Sequence, residues 1–246
     1  MDRKEFLKRG FGNLLTVATV APLVAACEKT PAAAPAAGTT AAGSTNGNSA
    51  ANCTVTPTET IGPFPTKVPA NFVRKDIRDD RTGIPLTISL TLKNANNGCQ
   101  AFAGALVDIW HCDKDGYYSE YGGTGMQSVN FTGADFLRGR QVTNANGLVT
   151  FASIFPGWYG GRAPHIHVHI YDATGRSLLV TQLAFPFDIT HSVYTTGQAQ
   201  GYTKGAQDTR NERDAVFSDG FATELAALVG SNAAGYTLTH TIVVNG

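Results

Sequence analysis

The segment "LTISLTL", residues 86–92, alternates apolar and hydroxyl side chains without interruption. Successive side chains of a β-strand point to opposite faces of a sheet, so this alternation predicts a strand with one buried and one solvated face. The turn-forming sequence "NANNG" (residues 94–98) follows directly. Much of the chain beyond residue 53 repeats this arrangement of a short strand and a polar turn.

Further segments along the chain carry the same strand signals. They are "GALVDIWHC" (104–112), "LVTFASIF" (148–155), "APHIHVHIYD" (163–172), "SLLVTQLAF" (177–185) and "YTLTHTIVV" (236–244). One helical pattern stands beside them, "DGFATELAALVG" (219–230), centred on Phe221 to Leu228. Short strands separated by Gly- and Asn-rich turns are typical of all-β proteins, so we expect an antiparallel β-sandwich with one or two short helices.

The composition excludes some classes of partner. The chain has 246 residues, 42% of them hydrophobic and 15% charged, and its formal net charge is zero. Because a nucleic-acid-binding domain normally presents a basic face, this balance predicts no nucleic-acid partner. The sequence also lacks a phosphate-binding loop with a lysine and a Gly-x-Ser-x-Gly motif.

Residues 1–27 are typical of an export signal, because a basic start precedes an apolar stretch from Leu14 to Ala26 that is short for a membrane span. "DRKEFLK" resembles the twin-arginine export motif, with Lys4 in place of the second arginine. "LVAAC" resembles a lipobox, in which Cys27 is lipidated and becomes the new N-terminus. A plain signal cleaved near Ala26 is the alternative. We expect an exported protein, periplasmic or at the cell surface, that is anchored in the membrane as a lipoprotein.

Residues 28–52 contain no large hydrophobic side chain, which predicts a flexible tether ahead of a folded domain at 53–246. That domain contains Cys53, Cys99 and Cys112. An exported compartment permits a disulfide, and the odd number leaves one thiol free or paired elsewhere. We expect the bridge to be Cys53–Cys99.

The segment "PGWYGGRAPHIHVHIY" (156–171) places His165, His167 and His169 at every second position of a predicted strand. All three therefore share one face, and two imidazoles about 6–7 Å apart along a strand can bind one metal ion. A solvated strand face would give the same alternation. The histidines alone do not decide between these interpretations, and His169 is expected to be a surface residue or a neighbour of the ligands.

Tyr159 and Arg162 precede these histidines in the same segment. A phenol has a pKa near 10 and rarely binds a divalent ion, whereas a hard ferric ion binds tyrosinate, as in catalase. Histidines together with tyrosine therefore favour Fe(III) over zinc.

Four stretches resemble, in ordered succession over residues 54–190, the intradiol ring-cleavage dioxygenases, the group of protocatechuate and catechol dioxygenases. They are "TPTETIGPF" (56–64), "LVDIWHCDKDGYYSEY" (106–121), "FLRGRQVTNANGLVTFASIFPGWYGGRAPHIHVHI" (136–170) and "LVTQLAF" (179–185). The resemblance implies a non-haem Fe(III) enzyme that uses O2 to open a catechol-type ring between its two hydroxyl-bearing carbons, giving a muconate-type acid.

The resemblance also assigns residues. It implies the ferric ligands Tyr118, Tyr159, His165 and His167 together with a water or hydroxide, and Tyr117 competes with Tyr118 for its place. It further implies that Tyr159 leaves the metal when substrate binds, opposite His167. Arg162 and Gln182 match groups beside the bound ring, where Arg162 would stabilise developing negative charge.

Two departures from the family pattern concern the substrate. Only Gly160 and Gly161 separate Tyr159 from Arg162, which predicts a different and more open pocket wall. Export suggests a larger catechol outside the cell. A non-catalytic extracellular β-sandwich module that binds aromatic or carbohydrate ligands is the main alternative, and a structural lipoprotein with a solvated histidine face is a third.

The remaining polar residues are assigned structural roles. Trp110 is expected in the core and His111 as a hydrogen-bonded neighbour of the site, while Asp113 and Asp115 are expected to shape a turn. His191 and His240 are expected to be surface residues. The segment "NERDAVF" (211–217) is expected to form a capped turn and not a site.

Overall fold

The computed structural model describes residues 53–246. The export signal, the lipid site at Cys27 and the tether at 28–52 lie outside the described residues. Within residues 53–246, no helix is both long enough and apolar enough to cross a bilayer.

The described chain consists of short β-strands and one α-helix. The elements are β1 (Pro85–Asn94), β2 (Gln100–Ala101), β3 (Leu106–Trp110), β4 (Arg138–Val142), β5 (Leu148–Ile154), β6 (His165–Tyr171), β7 (Ser177–Ala184), α1 (Phe187–Thr196), β8 (Ala227–Ser231) and β9 (Gly235–Val244). Short 3₁₀ turns lie at Pro69–Phe72, Ala95–Asn97, Gln198–Gln200 and Asn211–Arg213.

The strands form two sheets. The first has the order β2-β1-β9-β8, with β5 also paired to β1, and the second has the order β4-β3-β6-β7. All neighbouring pairs are antiparallel except β1 and β9, which run parallel with Ile88 paired to Leu238. This confirms the predicted all-β sandwich, and the single parallel pair arises where the last strand returns beside the first.

The core lies between the two sheets and is built by the period-two pattern. Ile88 and Leu90 of β1 are fully buried, as are Ile166 and Val168 of β6. These side chains belong to one continuous apolar cluster that spans both sheets. At about 25 cal/mol per Å² of buried apolar surface, such clusters supply the main driving force for folding. The alternation in "LTISLTL" therefore does specify a half-buried strand.

The predicted helix at 219–230 is wrong. Ala222–Glu224 form a turn, Leu225 makes an isolated β-bridge to Ala184, and Ala227–Ser231 is strand β8, paired with β9 so that Leu228 lies opposite Leu238. Pairing with a neighbouring strand overrides the local helix propensity of this segment. The α-helix lies instead at Phe187–Thr196, where Thr, Val and Tyr residues gave no helical signal and Pro186 stands at the N-cap.

Cys53 forms a disulfide with Cys99, as expected, and closes a sequence separation of 46 residues. Cys112 is a buried free thiol, and burial raises its pKa far above the ordinary range. The bridge holds the start of the described domain to the turn between β1 and β2.

Removing the bridge should destabilise the domain. We expect Cys53→Ser and Cys99→Ser each to lower the free energy of unfolding by about 2–4 kcal/mol, because an open loop gives the unfolded chain more conformational entropy. Urea unfolding of both single variants and the double variant measures the effect. The double variant should cost no more than either single variant, and additive losses would contradict the account.

Candidate metal centre

Strand β6 presents its histidines on the face opposite the core. It lies between β3 and β7, and the registers pair His167 with Trp110 on one side and Gln182 on the other. His165 and His167 are buried, with 3% and 0% of their surface exposed. The alternative of a solvated histidine face is therefore wrong for these two residues.

Four side-chain atoms converge beside this strand. The Nε2 atoms of His165 and His167 are 3.2 Å apart. The hydroxyl oxygens of Tyr118 and Tyr159 each lie 3.4 Å from His165 Nε2. The structure thus brings together two imidazole nitrogens and two phenol oxygens from two parts of the chain, the Tyr118 loop and the segment 159–167.

Both imidazoles are neutral, so each can offer a nitrogen lone pair. Burial lowers the pKa of His165 to about 3, with a further contribution from the Arg162 cation. Burial and the neighbouring His165 lower the pKa of His167 well below its ordinary value. His165 Nδ1 donates to the carbonyl oxygen of Ala163 at 2.6 Å, because a carbonyl can only accept. The lone pair of His165 is therefore on Nε2, which faces the phenols.

The two phenols are difficult to ionise by themselves. Burial raises the pKa of Tyr118 well above 10, and a negative charge on Tyr159 would raise it further. Burial also raises the pKa of Tyr159, although the Arg162 cation opposes that rise. A strongly charged cation between the two oxygens would reverse this balance by stabilising both phenolates.

The spacing of the four atoms fits a bound metal ion. Donors about 2.0–2.2 Å from one shared ion lie about 3–3.5 Å from each other, which is the range of the three separations given above. Among residues 53–246 there is no cluster of three or more His, Cys, Asp and Glu side chains that could hold a metal. Any metal here would depend on the phenol oxygens, and that donor set suits a hard ferric ion.

Packing fixes the ring of His167. The indole of Trp110 stacks on the imidazole with a centroid distance of 4.8 Å and an interplanar angle of 2°. A Cβ added to Gly62 would lie 2.8 Å from His167 Cε1, so only glycine fits beside the ring there. The Nδ1 of His167 has no hydrogen-bond partner within the described residues. Trp110 was expected in the core; it is buried, but in a smaller cluster beside the site.

One buried amide holds the backbone of Tyr118. The Tyr118 N–H donates to Gln127 Oε1 at 2.7 Å, and Gln127 Nε2 donates to the Tyr118 carbonyl at 2.8 Å. The Tyr118 ring is fully buried and stacks on Phe64 at 4.8 Å. Tyr117, its competitor, packs instead near Phe131 at 6.1 Å. The structure therefore places Tyr118, and not Tyr117, among the converging atoms.

Arg162 is fixed by a residue that sequence reasoning missed. Its Nε donates to both carboxylate oxygens of the fully buried Asp214 at 2.9 Å, and its Nη2 donates to Gln182 Oε1 at 2.6 Å. Asp214 also accepts from the backbone N–H of Ala163 at 2.7 Å. The segment 211–217 was predicted to be a turn and not a site. It does contain a 3₁₀ turn. Its exclusion from the site is wrong, because Asp214 binds Arg162, which lies 52 residues earlier in the sequence.

A cleft of about 420 Å³ opens beside these groups. Tyr159 and Arg162 form part of its wall, and the exposed Gly160 and Gly161 lie between them. Tyr118 does not line this cleft. A small molecule entering the cleft would therefore meet Tyr159 first.

The other histidines lie apart from the four donors. His169 Nε2 pairs with Ser177 Oγ at 2.8 Å, and its ring stacks on Tyr171 at 4.0 Å. His111 is hydrogen-bonded at both ring nitrogens, to Cys112 and Ser153, as expected.

Two further expectations concern the surface and a turn. His191 is exposed, but the expectation for His240 is wrong, because it is half-buried with an enclosed Nε2. Asp113 does shape a turn, since its Oδ1 accepts from the backbone N–H groups of Asp115 and Tyr117.

Comparison with known proteins gives consistent matches. A protein-family model described as "Dioxygenase" matches residues 65–196, more than half of the chain. Catechol 1,2-dioxygenase 1 from Acinetobacter lwoffii is 30% identical over 122 residues, covering 42% of this chain and 37% of that protein. Two further curated relatives are covered to 38% and 39% of their length. The chain therefore spans little more than a third of the length of the curated relatives it matches.

Solved structures match over more of their length. An intradiol ring-cleavage dioxygenase from Tetranychus urticae superposes with a TM-score of 0.67 at 30% identity, covering 78% of this chain and 95% of that one. The dioxygenase domain of a dioxygenase carbohydrate-binding protein fusion from Streptomyces sp. SirexAA-E gives 0.54 at 29% identity, covering 77% and 97%. The four converging side chains lie inside the range 65–196 matched by the family model, whereas Asp214 lies outside it.

The contact between Gly62 and His167 gives a test of the site's packing. We expect Gly62→Ala to lower the free energy of unfolding by about 1–3 kcal/mol, because the added Cβ would overpack the His167 ring and Gly62 has φ +74°. Gly104→Ala is the matched control, since Gly104 has φ +78° with nothing within 4 Å of its added Cβ. Chemical unfolding measures both variants. Equal losses would show that only backbone strain matters and would contradict the packing account.

Proposed function

The chain belongs to the intradiol ring-cleavage dioxygenase family, and from that premise we propose that it is a non-haem Fe(III)-dependent enzyme that uses O2 to cleave catechol-type rings to muconate-type acids. The observation that carries this proposal is the convergence of two neutral imidazoles and two buried phenols beside an open cleft. Tyr118, Tyr159, His165 and His167 would hold the iron. When bound, Fe(III) would lower the pKa of a coordinating catechol and prepare its ring for reaction with O2.

Tyr159 is the group that exchanges protons with the substrate. Of the two phenols, it alone lines the cleft, so its oxygen is the one an incoming catechol hydroxyl can approach. As a phenolate it would accept a proton at Oη from that hydroxyl, becoming a neutral phenol in the wall of the cleft. Tyr118 is fully buried, and its backbone N–H and carbonyl are both hydrogen-bonded to the Gln127 side chain. It would therefore keep its position throughout the reaction.

Arg162 and Gln182 orient the substrate ring and stabilise its charge. Arg162 lines the cleft and its cation also acts on Tyr159, so it lies beside the position where the bound ring gains negative charge. Gln182 is fixed at both ends, accepting from Arg162 and donating through Nε2 to the Thr60 carbonyl at 2.8 Å. Groups held in this way need little reorganisation during reaction, which is the basis of electrostatic catalysis.

The proposal includes an exported location for the domain at 53–246. The Cys53–Cys99 disulfide supports it, because disulfides persist in oxidising compartments and are rare in reducing ones. Lipid anchoring at Cys27 and export by a twin-arginine-like signal are proposed with it on the sequence patterns at residues 1–27.

The colour of the iron-loaded protein tests the ligand set. Tyrosinate bound to Fe(III) gives visible charge transfer, so the loaded protein should be reddish. Tyr118→Phe should lose much of that absorbance and more than about 100-fold of kcat, exceeding the effect expected for removing a residue that only supports a ligand. Tyr117→Phe is the control: it removes the neighbouring hydroxyl and should retain both the visible absorbance and kcat. A colourless protein that takes up zinc rather than iron would overturn the ferric assignment.

Oxygen consumption separates the enzyme from a binding module. The iron-loaded enzyme should consume one O2 for each catechol cleaved, because both oxygen atoms enter the product. An oxygen electrode and mass analysis of the product after reaction in ¹⁸O2 measure this. A protein that binds catechol without consuming O2 would be the extracellular aromatic-binding module instead.

A further inference from the structure

Tyr118 lies in a part of the chain without strand pairing. Strand β3 ends at Trp110 and β4 begins at Arg138, so the segment that carries this phenol is a loop. Among the residues that the structure describes, no backbone group pairs with the N–H or the carbonyl of Tyr118. Tyr118 is nevertheless fully buried. Because a buried backbone group without a partner is strongly disfavoured, the position of Tyr118 depends on the side chain that supplies one.

The side chain of Gln127 takes the place of the missing strand. Its Oε1 accepts from the Tyr118 N–H at 2.7 Å, and its Nε2 donates to the Tyr118 carbonyl at 2.8 Å. The same Nε2 also donates to the carbonyls of Tyr121 at 2.9 Å and Val129 at 3.4 Å. Because a carbonyl can only accept, these contacts fix which end of the amide is the nitrogen. One carboxamide therefore satisfies both backbone groups of Tyr118, as a paired residue does in an antiparallel sheet.

Gln127 is itself held in a closed loop. The Thr124 N–H donates to the Gln127 carbonyl at 3.0 Å, and the Gln127 N–H donates to Thr124 Oγ1 at 3.3 Å. At the start of the loop, a Cβ added to Gly122 would lie 2.4 Å from the Val129 carbonyl oxygen, so the two ends of the loop meet there. Gln127 is only 4% exposed. A buried amide on a closed loop has little freedom, so it can hold Tyr118 at a defined position.

The position of Tyr118 matters because its phenol oxygen is one of the four converging donor atoms. Its ring is held by packing alone, stacked on Phe64 at 4.8 Å and edge-on to Tyr159 at 5.9 Å. Hydrophobic packing is non-directional, whereas a metal ligand must lie within about 0.2 Å of its bonding distance. The directional bonds that Gln127 makes to the backbone therefore set how far the phenol reaches towards His165 Nε2.

We propose that Gln127 is a positioning residue for the iron site, which sets the place of the Tyr118 phenol oxygen by binding the Tyr118 backbone. The inference rests on the proposed function, because it concerns a ligand of the proposed ferric ion. Gln127 does not line the cleft, and its side chain binds backbone groups rather than the donor atoms. Its effect should therefore appear in the iron affinity and in kcat, with the KM for a catechol little changed.

Gln127→Met tests this role, because it removes the amide and keeps a side chain of similar length. We expect about 10–100-fold weaker iron binding and a similar loss of kcat, the range found when a group that orients a metal ligand is removed. The visible absorbance of the bound tyrosinate should weaken or shift. Titration against a competing chelator measures the affinity, and a spectrum of protein with known iron content measures the absorbance.

Gln141→Met is the matched control. The Gln141 amide donates to the Thr150 carbonyl in the other sheet and makes no hydrogen bond to Tyr118. The same chemical change at this position should leave the absorbance and the iron affinity at their wild-type values. Gln127→Asn is the second variant at the tested position. It keeps an amide that is one methylene shorter, so pairing with Tyr118 requires the backbone to move, and we expect the absorbance to shift in the folded protein.

A double variant separates positioning from a structural role. Tyr118→Phe removes the phenol oxygen and keeps the backbone groups that Gln127 binds. The absorbance that remains then comes from Tyr159, and adding Gln127→Met should leave it unchanged. Gln127→Met should nevertheless lower the urea midpoint of unfolding equally in the wild-type and Tyr118→Phe backgrounds, because the same backbone groups lose their partner in both.

The outcomes distinguish this role from the proposed function. Wild-type iron affinity and absorbance in Gln127→Met would overturn the inference and leave the ferric site standing. The same change of absorbance in the Tyr118→Phe background, or in Gln141→Met, would show a general structural effect and would overturn the inference as well. If neither Gln127 variant folds, the residue is structural and the positioning role fails. An iron-loaded wild-type protein without the absorbance would overturn the proposed function and the inference together.

Discussion

The two faces of strand β6 determine both the fold and the site. Ile166, Val168 and Ile170 point into the core and are fully buried, while His165 and His167 point the other way. A shift of one residue in the pairing of β6 would exchange these faces, placing imidazoles in the apolar core and isoleucine beside the phenols. The register that buries the core is therefore the register that assembles the donor nitrogens, and neither can change without the other.

The loops that bring the phenols to β6 are held by buried polar groups rather than by strand pairing. Arg138, at the start of β4, donates to Ser119 Oγ at 2.9 Å, to the Ser119 carbonyl at 2.6 Å and to the Phe64 carbonyl at 3.0 Å. It thereby joins the Tyr118 loop to the segment that carries Gly62. A buried cation is costly unless it is hydrogen-bonded, and here its N–H groups meet fixed acceptors. Together with the two hydrogen bonds between Gln127 and the Tyr118 backbone, these contacts make Tyr118 a rigid part of the site.

Sequence patterns predicted the features that depend on local periodicity. Six strands and the shared face of His165 and His167 followed from alternation, whereas the confirmed Cys53–Cys99 pairing was a choice among three cysteines that no pattern decided. Features set by distant contacts did not follow. The segment 219–230 has helical composition but pairs with β9, and Asp214 gave no signal because its partner Arg162 is far away in sequence. Gly62 also gave no signal in the sequence, because its close approach to His167 exists only in the folded chain.

The proposed function requires that the four converging atoms bind one ferric ion. A crystal of the iron-loaded protein, measured on both sides of the iron absorption edge, tests it most directly because the anomalous difference locates iron independently of the atomic coordinates. We expect one strong peak bounded by Tyr118 Oη, Tyr159 Oη, His165 Nε2 and His167 Nε2. An iron peak elsewhere, or no peak between these atoms in protein shown to contain iron, would contradict it.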